Sequence, residues 1–312
     1  MVQTPRYRRE RPAELTAKNV SDMVKRPPNN PYVVPNMNRP DLQDFFVGKE
    51  FSIRIDGNPE IKYKVKDINT LYWWKTGMEA GWEEEYYECY ESSAKGLYFL
   101  FHQLRTDFMS SGKVRILAID TENRMVTLLS GAFGLMDYTP RDTDANPFFG
   151  YIDWYDLMAP PQERHGYTLE LIQKNILWKV NNYNQIHYYV NRRYFACQEF
   201  GKENGLVTTE RARHIKLRDN VYLFFWREMQ RSGILSCDIM DLNEFYGVGM
   251  RYGVTDYAFI CHGFTREEGK FVTDDELKEF ERVFDESKDQ KYALKAVFGV
   301  DPDDYVIKPL EC

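Results

Sequence analysis

Glu228 closes a strongly apolar run, Val221-Tyr222-Leu223-Phe224-Phe225-Trp226-Arg227-Glu228, and is the carboxylate best placed to do chemistry. Alternate side chains of a strand share a face, so Phe224, Trp226 and Glu228 point one way and Arg227 the other. If that face lines a barrel, Glu228 sits on the inner wall near its rim. An apolar setting there would raise its pKa and let it exchange protons near neutral pH. The competing reading is a solvated Glu just past the strand end, paired with Arg227 or Arg231. His187, in Ile186-His187-Tyr188-Tyr189-Val190, is a second candidate, either as a helper in proton transfer or as a structural hydrogen-bonder beside two tyrosines. Trp178, Tyr183, Tyr188, Tyr189 and Trp226 are candidate pocket walls. Arg211 alternates with Ala212 and Arg213; it could clamp a substrate carboxylate or belong to an exposed charged face. No dinucleotide or phosphate-loop glycine motif, nucleophile elbow or paired-histidine metal motif occurs. The expectation is therefore chemistry without metal or cofactor.

The elements that must position these residues are strands. Apolar and polar residues alternate in IHYYV, VYLFFW and SCDIMD, the period of half-buried strands, and Asn181-Asn182, Asn204-Gly205 and Asp219-Asn220 are turn pairs. A degenerate copy lies upstream. Phe51–Ile55 falls on Ile176–Val180 and Ile61–Val65 on Ile186–Val190, both at 125 residues (176 − 51 and 186 − 61). Leu97–Phe101 falls on Val221–Phe225 at 124 (221 − 97), and Ala118-Ile119-Asp120 on Ile239-Met240-Asp241 at 121 (239 − 118). The drift is what loop-length changes produce. The first copy holds Leu104 where the second holds Glu228, and Lys62 where the second holds His187, so the second copy alone is expected to carry acid–base chemistry.

The chain of 312 residues suits two domains of about 100–150 residues. Residues 1–47 form an irregular Arg/Pro-rich arm, a candidate for subunit contacts in a homo-oligomer. Residues 48–132 are the first repeat, 133–165 a Pro- and Asp-rich crossover, 166–264 the second repeat and 265–312 a helical tail. That tail opens on a Thr273-x-x-Glu276 capping box, with a second helix over 290–298. A net charge of −7 argues against extended nucleic-acid contact. No apolar run reaches the length of a membrane helix. The polar start reads as lacking a secretory signal, and the five cysteines form no C-x-x-C pair, so free thiols and a cytoplasmic setting are expected.

The residues IHYYVNRRYFACQEFGKENGL, VYLFFWRE and DIMDL resemble the C-terminal domain of the MoaF family, whose name links it to molybdenum-cofactor biosynthesis, and the first repeat is similar to that family's N-terminal domain. The resemblance implies a mainly β chain of two tandem calycin (lipocalin-like) antiparallel barrels, distantly similar to bacterial phenolic acid decarboxylases. Those enzymes use a Glu at the end of a W-x-E strand, which falls on Glu228. Their two first-strand tyrosines fall on Trp178 and Val180, and their Arg falls near Leu206. The expected function is a cofactor-independent lyase or isomerase acting on a small aromatic or apolar molecule in the second barrel. The alternatives are a non-catalytic small-ligand binder and a structural or assembly role.

Overall fold

The computed structural model describes residues 40–79, 81–104, 113–133, 143–154, 159–180, 183–200, 207–228, 234–254 and 260–301, with side chains left aside at 103, 132–133, 143–144, 183, 253–254 and 260–265. The first barrel comprises β1 (Glu50–Ile55), β2 (Ile61–Asp67), β3 (Thr70–Lys75), β4 (Glu83–Glu91), β5 (Leu97–Gln103), β6 (Val114–Asp120), β7 (Met125–Phe133) and β8 (Thr143–Asp153). Each strand is antiparallel to the next, and β8 returns to β1 to close the ring. After the short β9 (Gly166–Tyr167), the second barrel runs β10 (Asn175–Val180), β11 (Tyr183–Asn191), β12 (Tyr194–Phe200), β13 (Val207–Arg218), β14 (Val221–Glu228), β15 (Ile234–Asp241), β16 (Tyr246–Val254) and β17 (Ile260–Phe271). β17 pairs with β10 and β12 with β13, which closes it, while β9 adds to the far half of β13. Two helices follow, α1 (Asp274–Ser287) and α2 (Gln290–Phe298).

The duplication is visible strand by strand. Matched segments occupy the same ordinal place in each ring: β1 and β10, β2 and β11, β5 and β14, β6 and β15. The closing strands are where the sequence reading and the fold part. β8 lies wholly inside the stretch read as a crossover, and β17 runs into the stretch read as tail. Phe46, read as part of the arm, is buried in the core of the first barrel.

The apolar strands β5, β6, β14 and β15 are buried on both faces. Phe99, Phe101, Val114, Ile116 and Ala118 from the first barrel pack with Leu223, Phe225, Leu235, Cys237 and Ile239 from the second in one shared core. This corrects the reading of VYLFFW as a half-buried alternating strand: both of its faces are buried, Tyr222, Phe224 and Trp226 filling the barrel and Leu223 and Phe225 the junction. Polar ties flank that junction. Arg218 grips buried Asp120 with two bonds of 2.7 Å and donates to the Lys95 carbonyl at 2.9 Å, and Ser93 Oγ donates to Asp241 at 2.8 Å.

The expected capping box is present. Thr273 Oγ1 accepts from the Glu276 N–H, and Glu276 accepts from the Thr273 N–H. The helices lay Phe280, Ala293, Leu294 and Phe298 on the outer residues Leu177, Ile186 and Phe200. α2 ends at Gly299, whose φ of 70° is the left-handed turn that favours glycine. Cys89, Cys197 and Cys237 are free and buried. Among the described residues, no helix is long and apolar enough to cross a membrane.

Candidate functional site

Inside the second barrel, one guanidinium holds three carboxyl groups together. Arg251, on β16, is 11% exposed, and its Nη1 donates to Asp238 Oδ1 at 2.7 Å and its Nη2 to Glu267 Oε1 at 2.9 Å. Its Nε lies 3.7 Å from Glu228 Oε1, which also accepts from Ser236 Oγ at 2.6 Å. The guanidinium sits over the Trp226 ring at 4.5 Å. Register brings these groups together: Trp226 faces Ser236, Ser236 faces Arg251, and Phe224 faces Asp238, while Glu267 faces Gly247. Asp238 and Glu267 have essentially no exposure, whereas the Glu228 side chain keeps 14%.

Three ionised carboxylates on a single buried cation would leave a surplus of negative charge in a low-dielectric space, and a proton relieves it. The proton goes to Glu267. Burial, and then the charge of Asp238, push its pKa up to about 8, against the opposing pull of Arg251. The inner face of β16 is cut back to make room. A Cβ on Gly249 would meet Asp238 Oδ1 at 2.0 Å and the Cys237 carbonyl at 2.1 Å, and one on Gly247 would meet Glu267 Cβ at 3.0 Å. On β17, Gly269 lets the Trp178 ring lie flat against the backbone, since a Cβ there would come within 2.6 Å of it.

The remaining walls are aromatic. His187 is fully buried, with its ring 4.8 Å from Phe195 and 5.8 Å from Trp226. Its Nδ1 lies 3.2 Å from the Tyr189 hydroxyl, which donates to Met240 Sδ at 3.3 Å. Burial, followed by the charge of Arg251, holds the imidazole well below its usual pKa, so it is neutral. Among the described residues, His187 Nε2 and Gln185 Nε2 have no hydrogen-bond partner, and unmet buried polar atoms call for a partner such as water, an ion or a ligand.

Of the residues singled out in the sequence, Glu228, His187, Trp178, Tyr189 and Trp226 converge on this interior. Tyr188 and Arg211 do not. Tyr188 points outward, donating to Gln198 Oε1 at 2.9 Å beside the helical cluster, because neighbours in a strand face opposite ways. Arg211 lies exposed on the outer face, opposite Arg227. The Tyr183 side chain falls outside the described residues.

The pairing of His187 with Lys62 is also corrected. Phe51 faces Tyr63 as Ile176 faces His187, so Tyr63 is the counterpart of His187 and Lys62 points outward. The first barrel is not devoid of inward polar groups: Tyr63 meets His102 at 3.2 Å, and Arg115 stacks on Trp73 at 3.9 Å. One inward carboxylate, Glu85, accepts from Trp73 Nε1 at 3.3 Å there, but among the described residues no three carboxyl groups share one guanidinium in that barrel. Leu117 facing Leu128 stands where Asp238 faces Gly249, and Gly150 where Glu267 stands. Asp238, Arg251 and Glu267 were missed in the sequence. The available signal was Gly247-x-Gly249-x-Arg251-x-Gly253, glycine at successive inward positions of a strand. Among the described residues no three His, Cys, Asp or Glu side chains come together as a metal site.

The decisive comparison concerns this half of the chain. Residues 165–267 match the family model of the MoaF C-terminal domain. The MoaF-like segment ends on Glu267 and contains every member of the cluster. No curated protein matches the chain. Among solved structures, a protein of unknown function from the DUF3598 family of Nostoc punctiforme is 11% identical, with a TM-score of 0.35 over 76% of this chain and 97% of its own. A Burkholderia vietnamiensis protein provisionally described as a beta-lactamase is 12% identical, with a TM-score of 0.28 over 33% of this chain and 95% of its own.

Proposed function

We propose that the second, MoaF-like barrel is the site of acid–base chemistry on a small aromatic or apolar molecule, of the isomerase or lyase kind and without a cofactor. The observation that carries this reading is the sharing of Arg251 by Glu228, Asp238 and Glu267 inside an aromatic-walled barrel. Carboxyl groups that share one cation but differ in environment divide the roles of acid and base. Glu228, the most exposed of the three, accepts a proton from a substrate carbon. Arg251 spreads the negative charge as it moves, and Ser236 fixes the orientation of the Glu228 carboxylate. Return of the proton elsewhere on the same molecule completes an isomerisation; departure of a leaving group completes a lyase reaction. The surplus of carboxylates repels anions, so the substrate is neutral or cationic. This departs from the phenolic acid decarboxylase scheme, whose substrate is itself a carboxylate.

Deuterium uptake tests this without knowledge of the natural substrate. The protein is incubated in heavy water with small aryl ketones, and loss of the exchangeable C–H signal is followed by proton NMR. The wild type should accelerate exchange, and Glu228→Gln should slow it by about 10²-fold or more. Undiminished exchange in Glu228→Gln removes the reading. Saturable quenching of Trp fluorescence with no exchange in the wild type would support the second reading, a non-catalytic binder. The unmet His187 Nε2 and Gln185 Nε2 favour that alternative, and the family name makes molybdenum-cofactor metabolism its natural context.

A further inference from the structure

Across β6 and β7 of the first barrel Arg115 faces Ser130, and across β15 and β16 of the second Ser236 faces Arg251. The same cross-strand pair recurs with its members exchanged, so each barrel keeps one inward guanidinium. Their surroundings differ. Arg251 holds Asp238 and Glu267 and lies near Glu228. Arg115, only 8% exposed, forms no ion pair among the described residues. Its guanidinium stacks on the Trp73 ring at 3.9 Å, and the inward Glu85 accepts from Trp73 Nε1 at 3.3 Å instead. A guanidinium cannot shed its proton, and a buried cation left without a paired anion is strongly destabilising.

A second unmet group stands beside it. β5 places His102 directly across from Arg115, and the Leu104 N–H donates to the Lys113 carbonyl at 3.1 Å, so the pairing continues past both residues and fixes their positions. His102 is fully buried, on the inward face that it shares with Tyr98 and Leu100. Its Nε2 lies 3.2 Å from the Tyr63 hydroxyl. Among the described residues, His102 Nδ1 and Arg115 Nη1 have no hydrogen-bond partner. Burial, then the charge of Arg115, holds the imidazole well below its usual pKa, so it is neutral and adds no second charge. Two unmet buried groups on paired strands call for a partner that both can reach. The cation requires that partner to be an anion, and a single planar carboxylate matches one guanidinium better than a dianion does. Ile55, Ile61 and Leu104 belong to the same core, with Met78 packed against it, which suits an aliphatic body.

We infer that the first barrel is a binding site for a small aliphatic monocarboxylic acid, its carboxylate held by Arg115 Nη1 and His102 Nδ1 and its body lying against Ile55, Ile61 and Leu104. In that complex Nδ1 donates to the carboxylate and Nε2 accepts from Tyr63. The site is independent of the acid–base reading, and Glu228→Gln should bind the acid as the wild type does. Titration calorimetry near neutral pH with hexanoate, hexanol and inorganic phosphate separates charge, body and shape. Hexanoate should bind one to one, and at least about tenfold more tightly than hexanol or phosphate. Arg115→Met, which keeps the bulk without the charge, should weaken it by about tenfold or more, and Arg115→Lys, which keeps the charge without the fork, by less. If urea denaturation shows that Arg115→Met does not fold, the wild type decides: the nitrogen-15 resonance of His102 Nδ1 should move with hexanoate and stay in place with hexanol. No hexanoate binding, hexanol or phosphate bound as tightly, undiminished affinity in a folded Arg115→Met, or an unmoved His102 resonance would each overturn the inference.

Discussion

Arg251 is a buried cation whose partners outnumber it, and its neighbourhood shows how a single residue type decides what a barrel can hold. Asp238 reaches it only because Gly249 lies across the strand pair. Gly249→Ala would drive a methyl group to within 2.0 Å of Asp238 Oδ1 and 2.1 Å of a backbone oxygen, which neither a rotamer change nor a small tilt relieves. The variant should lose about 1–3 kcal/mol or more in urea denaturation, together with the grip of Arg251 on Asp238. The same substitution at Gly166, where a Cβ would meet nothing within 4 Å, should be close to neutral. At this scale the sequence was legible in part. Glu228 announced itself because it ends an apolar run on the same face as Trp226. Arg251 and Glu267 did not, since each sits in a glycine-rich or charged stretch whose inward phase no apolar neighbour marks.

The elements were read more successfully than their limits. The strands around Phe51, Leu97 and Val221 fall in the same phase in both copies, whereas the second strand of each repeat slips by one residue, which exchanges the inward and outward sets. Tyr63 was thereby matched with outward Tyr188 rather than inward His187. β8 was hidden because its Thr143-Asp144-Ala145-Asn146-Pro147 start carries turn residues rather than strand formers. The helices were legible because capping and apolar spacing are local signals. Their anchoring is not local, and it dominates their stability. Phe280→Ala removes the ring packed on Phe200 and Phe298, at 5.5 Å in each case, and should cost about 3–5 kcal/mol. Thr273→Ala, which breaks only the cap, should cost about 1 kcal/mol. Reversal of that order in urea denaturation would mean the helices are held by their own ends rather than by the barrel.

At the level of the whole molecule, two copies of one barrel are joined through a common apolar core and locked at its edge by Arg218 and Asp120. Asp120 is wholly buried, so Arg218→Ala strands a carboxylate that only Asn123 and nearby backbone groups then satisfy. The expected loss is about 3–5 kcal/mol by denaturation, larger than for any exposed ion pair of the helices. The two copies differ in charge: Leu117 faces Leu128 in the first barrel where the second places Asp238 on the Arg251 guanidinium. Linkage gives this a signature. Glu267 holds its proton to about pH 8 in the folded chain but would release it near 4.5 when unfolded, so its contribution to stability declines as pH rises between those values. The most direct measurement is carbon-13 NMR of the glutamate side-chain carboxyl groups from about pH 5 to about pH 9, in the wild type and in Glu267→Gln. One carboxyl resonance should titrate near pH 8 and be missing from the variant. If every glutamate of the folded wild type has already ionised by about pH 5, the barrel holds no neutral acid and the account is contradicted.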